Sequence, residues 1–115
     1  MTLSIPLNLP SAANLREHWT TKHRRVKGQR SVVALFLGGK PRPPLPVVVT
    51  LTRIAPRSLD SDNLQGAFKG VRDEVSKWIG YPDNDPRIEW RYGQRQGGVK
   101  VYAIEVRIEP AEVCS

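Results

Sequence analysis

Leu3, Ile5, Leu7 and Leu9 alternate with Thr2, Ser4, Pro6 and Asn8, the period of a strand with one covered face. Pro6 lacks the N–H that a ladder needs, so this strand is expected at a sheet edge or with a bulge. From Asn14 the period lengthens: Leu15, Trp19, Val26, Val33 and Leu37 fall near one helical face. Asn14 and Glu17 form a possible capping box at its start. Gly28 weakens the middle by about 1 kcal/mol relative to Ala, so the helical pattern is firmest over 25–37. Gly38-Gly39 supplies a stop, and KPRPPLP (40–46) reads as an extended connector. VVVTLTRI (47–54), alternating and β-branched, predicts a central strand that Pro56 ends. Leu64, Phe68, Val71, Val75 and Trp78 then recur at spacings of four and three, the clearest amphipathic helix in the chain. Asp62 or Asn63 is a natural cap for it, and Gly80 a natural end. After the dense turn YPDNDP (81–86), Ile88, Trp90 and Tyr92 share one face of a third strand. RQGG (95–98) reads as a hairpin turn into a fourth, where Tyr102, Ile104, Val106 and Ile108 alternate. The order β-α-β-α-β-β predicts an α/β (α+β) fold, a mixed sheet with two helices packed on it. The expected domain spans 1–110, with 111–115 a flexible tail.

The chain has 115 residues, enough for one core and few enough that oligomerisation is a common route to more buried surface. It contains no apolar run long enough to span a membrane. The opening MTLSIPLNLP has no secretory pattern, and the single cysteine, Cys114, permits no internal disulfide, so a cytoplasmic location is expected.

Charge changes the picture most. The net charge is +7, and residues 1–57 carry ten Lys/Arg against one acid, Glu17. The second half carries eight Lys/Arg against ten acids, and six of those lie between Asp60 and Asp85. Basic density of this kind marks a polyanion partner, above all nucleic acid, or else a solubilising surface. KHRRVKGQR holds Lys22, Arg24, Arg25, Lys27 and Arg30 without an acid, a pattern that neutralises phosphates without reading sequence. His18 and His23 are five apart, and no Cys or Glu completes a zinc set.

Among the acids, Asp60 and Asp62 stand where a strand gives way to a helix; in an extended segment both project to one side. Asp85 precedes the third strand and joins them only if strands two and three run antiparallel or the turn folds back. Three such carboxylates suit Mg²⁺ or Mn²⁺ and phosphodiester chemistry. Asp is also a preferred helix cap, and Asp-Asn-Asp-Pro is ordinary turn chemistry.

LDSDNLQGAFKGVRDEV followed by YPDNDPRI resembles the signature of the RusA-type Holliday-junction resolvases. Asp60, Asp62, Asn63 and Leu64 match its Asp-x-Asp-Asn-Leu step, Lys69 and Asp73 its Lys-x-x-x-Asp step, and Asp85 its last acidic position. Asn14 after a Pro-containing first strand is similar to its N-terminal pattern. Two positions depart from it. Gly66 stands where the family's lysine usually falls, leaving Lys69 to reach back over that spot. Asn84-Asp85 replaces the usual Asp-Asp, with Asp83 a nearby carboxylate. The resemblance implies a phage- or bacterium-encoded homodimer that binds four-way DNA junctions and makes paired Mg²⁺-dependent nicks. It implies Asp60, Asp62 and Asp85 as metal ligands and Lys69 as the essential lysine; Asn14 and, from their charge, Lys22, Arg24, Arg25, Lys27 and Arg30 are the candidates to hold DNA. Asn63, Asp73 and Asp83 are auxiliary candidates. The alternatives are a non-catalytic DNA-binding module and a nuclease for flaps or forks.

Overall fold

The computed structural model describes residues 1–10 and 19–111; the expectations placed on Asn14, His18 and Cys114 lie outside them. In chain order the elements are β1 (Thr2–Ile5), α1 (Trp19–Leu37), β2 (Val47–Ala55), α2 (Ser61–Ala67), α3 (Lys69–Ile79), β3 (Ile88–Gln96) and β4 (Ala103–Pro110). They form one α+β domain around a mixed four-stranded sheet of order β1-β4-β2-β3.

The β-branched run of β2 is central, as its composition predicts. It pairs in parallel with β3, from Val47↔Ile88 to Ala55↔Gln96, and antiparallel with β4, from Val47↔Pro110 to Ile54↔Ala103. Val47, Val49 and Leu51 are fully covered, whereas Val48, Thr50, Thr52 and Ile54 on the other face are half-buried. Onto the covered face pack Val33 and Leu37 of α1 and Val71, Val75 and Ile79 of α3, with Phe68 and Ile5 in the same cluster.

Four details differ from the sequence pattern. β1 stops at Ile5, before Pro6, although Leu9 is still buried in the core. α1 runs through Gly28, a position that is exposed with open space around it, so packing elsewhere along the helix outweighs the local glycine penalty. The helix expected from Leu64 to Trp78 is two helices. Phe68 breaks it with φ −88° and ψ 0°, its N–H shared between the carbonyls of Leu64 and Gln65. Finally, Arg95–Gly98 do not form a hairpin. The chain crosses the end of β2, where Gly97 N–H bonds Ala55 O at 3.0 Å, and β4 pairs on the far side of β2. β3 already occupies one edge of β2, and the other edge is where β4 adds most backbone bonds.

Candidate nucleic-acid interface

α1 and α3 approach closely because α3 carries a glycine at the crossing. A Cβ on Gly70 would lie 3.1 Å from Val26 Cγ1 and 3.4 Å from Arg30 Cγ. Beside the crossing, Arg30 Nε bonds Glu74 Oε2 at 3.0 Å and ties the helices together. The groove that remains has a volume of about 420 Å³, its floor formed by Val26, Gly70 and Ala67. Lys22, His23, Arg25 and Lys69 surround it, with Gln29 and Asp73. Lys69 and Gly66 line the same groove, and a Cβ on Gly66 would meet nothing within 4 Å.

A second cationic cavity, of about 390 Å³, lies at the carboxyl ends of the parallel strands β2 and β3. Arg53, Arg57 and Arg95 line it with Ser58, Gln94 and Gln96. Ends of parallel strands are where open α/β sheets place ligands. Arg53 is only 6% exposed and sits at a core-facing position of β2. Nε bonds Leu9 O at 2.8 Å and one terminal nitrogen bonds Arg57 O at 2.7 Å. Burial lowers its pKa from the usual value, with Tyr102 opposing; a guanidinium stays charged through a shift of this kind. Sequence reasoning passed over these three arginines. The one signal was a charge at a buried position of an alternating strand.

α2 has seven residues and so spans about 10 Å. Ser58, three residues before it, lines the strand-end cavity, and Gly66 within it lines the helix groove. Asp60 and Asp62 therefore stand between two basic regions. Asp60, rather than Asp62 or Asn63, is the cap: its Oδ1 accepts from Asn63 N at 2.9 Å and its Oδ2 from Asn63 Nδ2 at 3.1 Å. Asp62 is exposed in the first helical turn. The extended geometry that would aim both carboxylates at one spot thus ends at Asp60, and on a helix residues two apart do not face each other.

Asp85 lies at the other end of the sheet. Gln94 of β3 grips the Leu59 backbone, donating to O at 2.6 Å and accepting from N at 2.8 Å, which fixes Asp60 beside the far end of that strand. Asp85 precedes Ile88, the strand's first residue. The rise from Ile88 to Gln94 separates the two levels by about 20 Å. The reason is strand direction: β2 and β3 run parallel, so the helices between them carry the chain back to the starting end. Asp85 is 11% exposed, and Arg87 holds both its oxygens, at 3.1 Å from Nε and 2.9 Å from a terminal nitrogen. Its carboxyl is lowered to about 2, chiefly by the Arg87 side-chain bonds. Among the described residues no three acids, histidines or cysteines gather as a metal group. The three aspartates of a single chain therefore do not fit the ligand set of one Mg²⁺.

Other candidates take structural places. Asp83 accepts from Arg72 Nε at 2.9 Å, while Arg72 also bonds Tyr92 Oη at 2.8 Å and stacks 4.8 Å over Trp90. This guanidinium ties α3, the 81–86 turn and β3 together; burial opposes its charge, and the bonds to Tyr92 and Asp83 outweigh that and raise its pKa. Arg30 belongs to the Glu74 ion pair. Arg24 and Lys27 are exposed on α1 and do not line the groove. No family model and no curated protein matches the chain. Among the described residues no helix is long and apolar enough to cross a membrane.

Proposed function

We propose that this chain binds branched DNA, with the sugar-phosphate backbone lying along a basic track from the Lys22–Lys69 groove, over α2, to the arginines at the ends of β2 and β3. One observation carries the reading: residues from five separate elements or loops converge their cations on two cavities flanking one short helix. Helix α1 supplies Lys22 and Arg25, α3 supplies Lys69, and Arg53, Arg57 and Arg95 (the last also paired with Glu105 at 3.2 Å) come from β2, its following loop and β3. Such contacts neutralise phosphates and position a backbone without reading bases.

A second reading adds cleavage. It rests on the motif resemblance and on the exposed Asp62 beside Asp60 in the middle of that track. A metal-dependent junction nuclease needs Asp85 as well, and in a homodimer a twofold axis across β3 exchanges the strand's ends. This reading therefore requires that Asp85 of a second chain approach Asp60 and Asp62 of the first. Mg²⁺ or Mn²⁺ would be the cofactor, and paired nicks the product.

One experiment separates the readings. Purified protein is mixed with a synthetic four-way junction, a flap, a fork and a linear duplex, with EDTA, Mg²⁺ or Mn²⁺, across a salt series. Metal-independent junction binding that falls steeply with salt supports the first reading, and equal affinity for the linear duplex sinks its branch preference. Paired nicks that vanish in Asp62→Asn and Asp85→Asn support the second. Uncut junctions in a folded, dimeric sample rule it out.

A further inference from the structure

A residue that lines the α1–α3 groove carries a polar atom that the fold itself does not use. Gln29 is 5% exposed and lines the groove, and its side-chain Nε2 is buried without a hydrogen-bond partner. It is the one such side-chain atom among the described residues. Buried donors are almost always paired, so an orphan of this kind points to a group that arrives from outside.

The surroundings define that group. The crossing of Val26 and Gly70 gives an apolar floor, because Gly70 has no side chain to fill it. Asp73 adds a carboxylate acceptor to the Gln29 donor, and Lys22 and Lys69 place two cations beside them. A free phosphate matches the lysines but leaves the floor uncovered and faces the Asp73 charge. A nucleobase matches what remains. It has a flat apolar face, and its edge carries both acceptors and donors, which amide and carboxylate side chains pair with. The volume, about 420 Å³, falls in the range of small-ligand sites. It admits one nucleotide and excludes a duplex, so the base must leave its stack, as it does readily at a branch or in a single strand.

We propose that the groove takes one unstacked nucleotide of a bound DNA, with its base on the Val26–Gly70 floor, its edge against Gln29 and Asp73, and its phosphate between Lys22 and Lys69. This deepens the DNA-binding reading and rests on it for the source of the nucleotide.

The test uses the full chain, ¹⁵N-labelled, titrated with each deoxynucleoside 5′-monophosphate and, separately, with inorganic phosphate. The nucleotides should move the Gln29 side-chain amide resonances, and phosphate should not. Gln29→Leu, whose folding is checked by its amide spectrum, should bind the nucleotides about fivefold more weakly, the effect of one lost hydrogen bond. In parallel, a junction carrying 2-aminopurine at the branch should brighten on binding to the native protein and brighten less with Gln29→Leu. The inference is overturned if phosphate and nucleotides give the same shifts, if Gln29 stays silent, or if Gln29→Leu binds nucleotides as well as the native chain. Nucleotide binding without any junction binding supports the site and sinks the proposed function. Salt-sensitive junction binding with a silent Gln29 and unchanged 2-aminopurine does the reverse.

Discussion

Arg87 holds Asp85 by three bonds: its backbone N–H at 2.9 Å and its Nε at 3.1 Å both reach Oδ1, and a terminal nitrogen reaches Oδ2 at 2.9 Å. The pair leaves Asp85 ionised far into acid, with a carboxyl pKa of about 2. A carboxyl lowered on folding adds stability above its unfolded pKa, near 3.9, and that contribution is lost as pH falls toward the folded value. The window is therefore about pH 4 down to 2. Carboxyl ¹³C titration should place the Asp85 midpoint near the bottom of that window, and Arg87→Ala, which removes the two side-chain bonds and keeps the backbone N–H, should raise it part of the way toward the ordinary range near 4. An unchanged midpoint in Arg87→Ala would show that the ion pair does not set the value.

Asp60 serves the fold before it serves any ligand. Asp60→Ala should destabilise the protein by about 1 kcal/mol, whereas Asp60→Asn, an equally good cap, should leave stability nearly unchanged. Urea denaturation measures both. This makes Asp60→Asn the variant to use in DNA assays, since a loss of binding or cutting there would not trace to unfolding.

Gly70 sets the distance between α1 and α3. Gly70→Val would push side-chain atoms beyond a Cβ already 3.1 Å from Val26 Cγ1. Overpacking of that kind costs about 1–3 kcal/mol. The midpoint of chemical denaturation should fall accordingly, and the Val26 methyl resonances should move. A variant as stable as the native chain would mean that α1 rides outward at little cost.

The core was readable in advance and the arrangement of the acids was not, for definite reasons. The 3.6-residue period of Val71, Val75 and Trp78 and the alternation of Val47–Ile54 report burial, a local property of each element. Whether β2 and β3 run parallel is not local, and it alone decides that Asp85 lies an entire strand away from Asp60. The hairpin expected at Arg95–Gly98 failed for the same reason, since turn residues cannot report that β2 has a second edge to offer β4. Lys22, Arg25 and Lys69 were visible as charge and do share a groove. Gln29 carried no signal at all, because a glutamine in a basic helical segment looks like surface until α3 covers it.

Not every cation of the Lys22–Arg30 cluster should matter equally for DNA. Lys22→Ala and Lys69→Ala should each lower the slope of log affinity against log salt by about 1, one phosphate contact apiece. Arg30→Ala should leave that slope alone. It should cost at most about 1 kcal/mol of stability, since the side chain is 41% exposed in its pair with Glu74. Fluorescence anisotropy over a salt series, with thermal melts of the same samples, distinguishes the two behaviours. Equal slopes for all three variants would mean that the cluster acts as diffuse charge and the groove has no special part in binding.

Gln29 yields a prediction of the opposite sign to most core substitutions. Its Nε2 is buried with nothing to donate to, and an unpaired donor of this kind costs about 1–3 kcal/mol. Leucine occupies a similar volume, favours the helix slightly more and carries no polar atom to bury. Gln29→Leu should therefore raise stability by about 1 kcal/mol while weakening nucleotide binding. A residue kept for packing would show the reverse, with stability falling and binding following it. The two quantities moving in opposite directions, in urea denaturation and in the nucleotide titration, would mean that the fold gives up stability to keep an unpaired hydrogen-bond donor beside the groove.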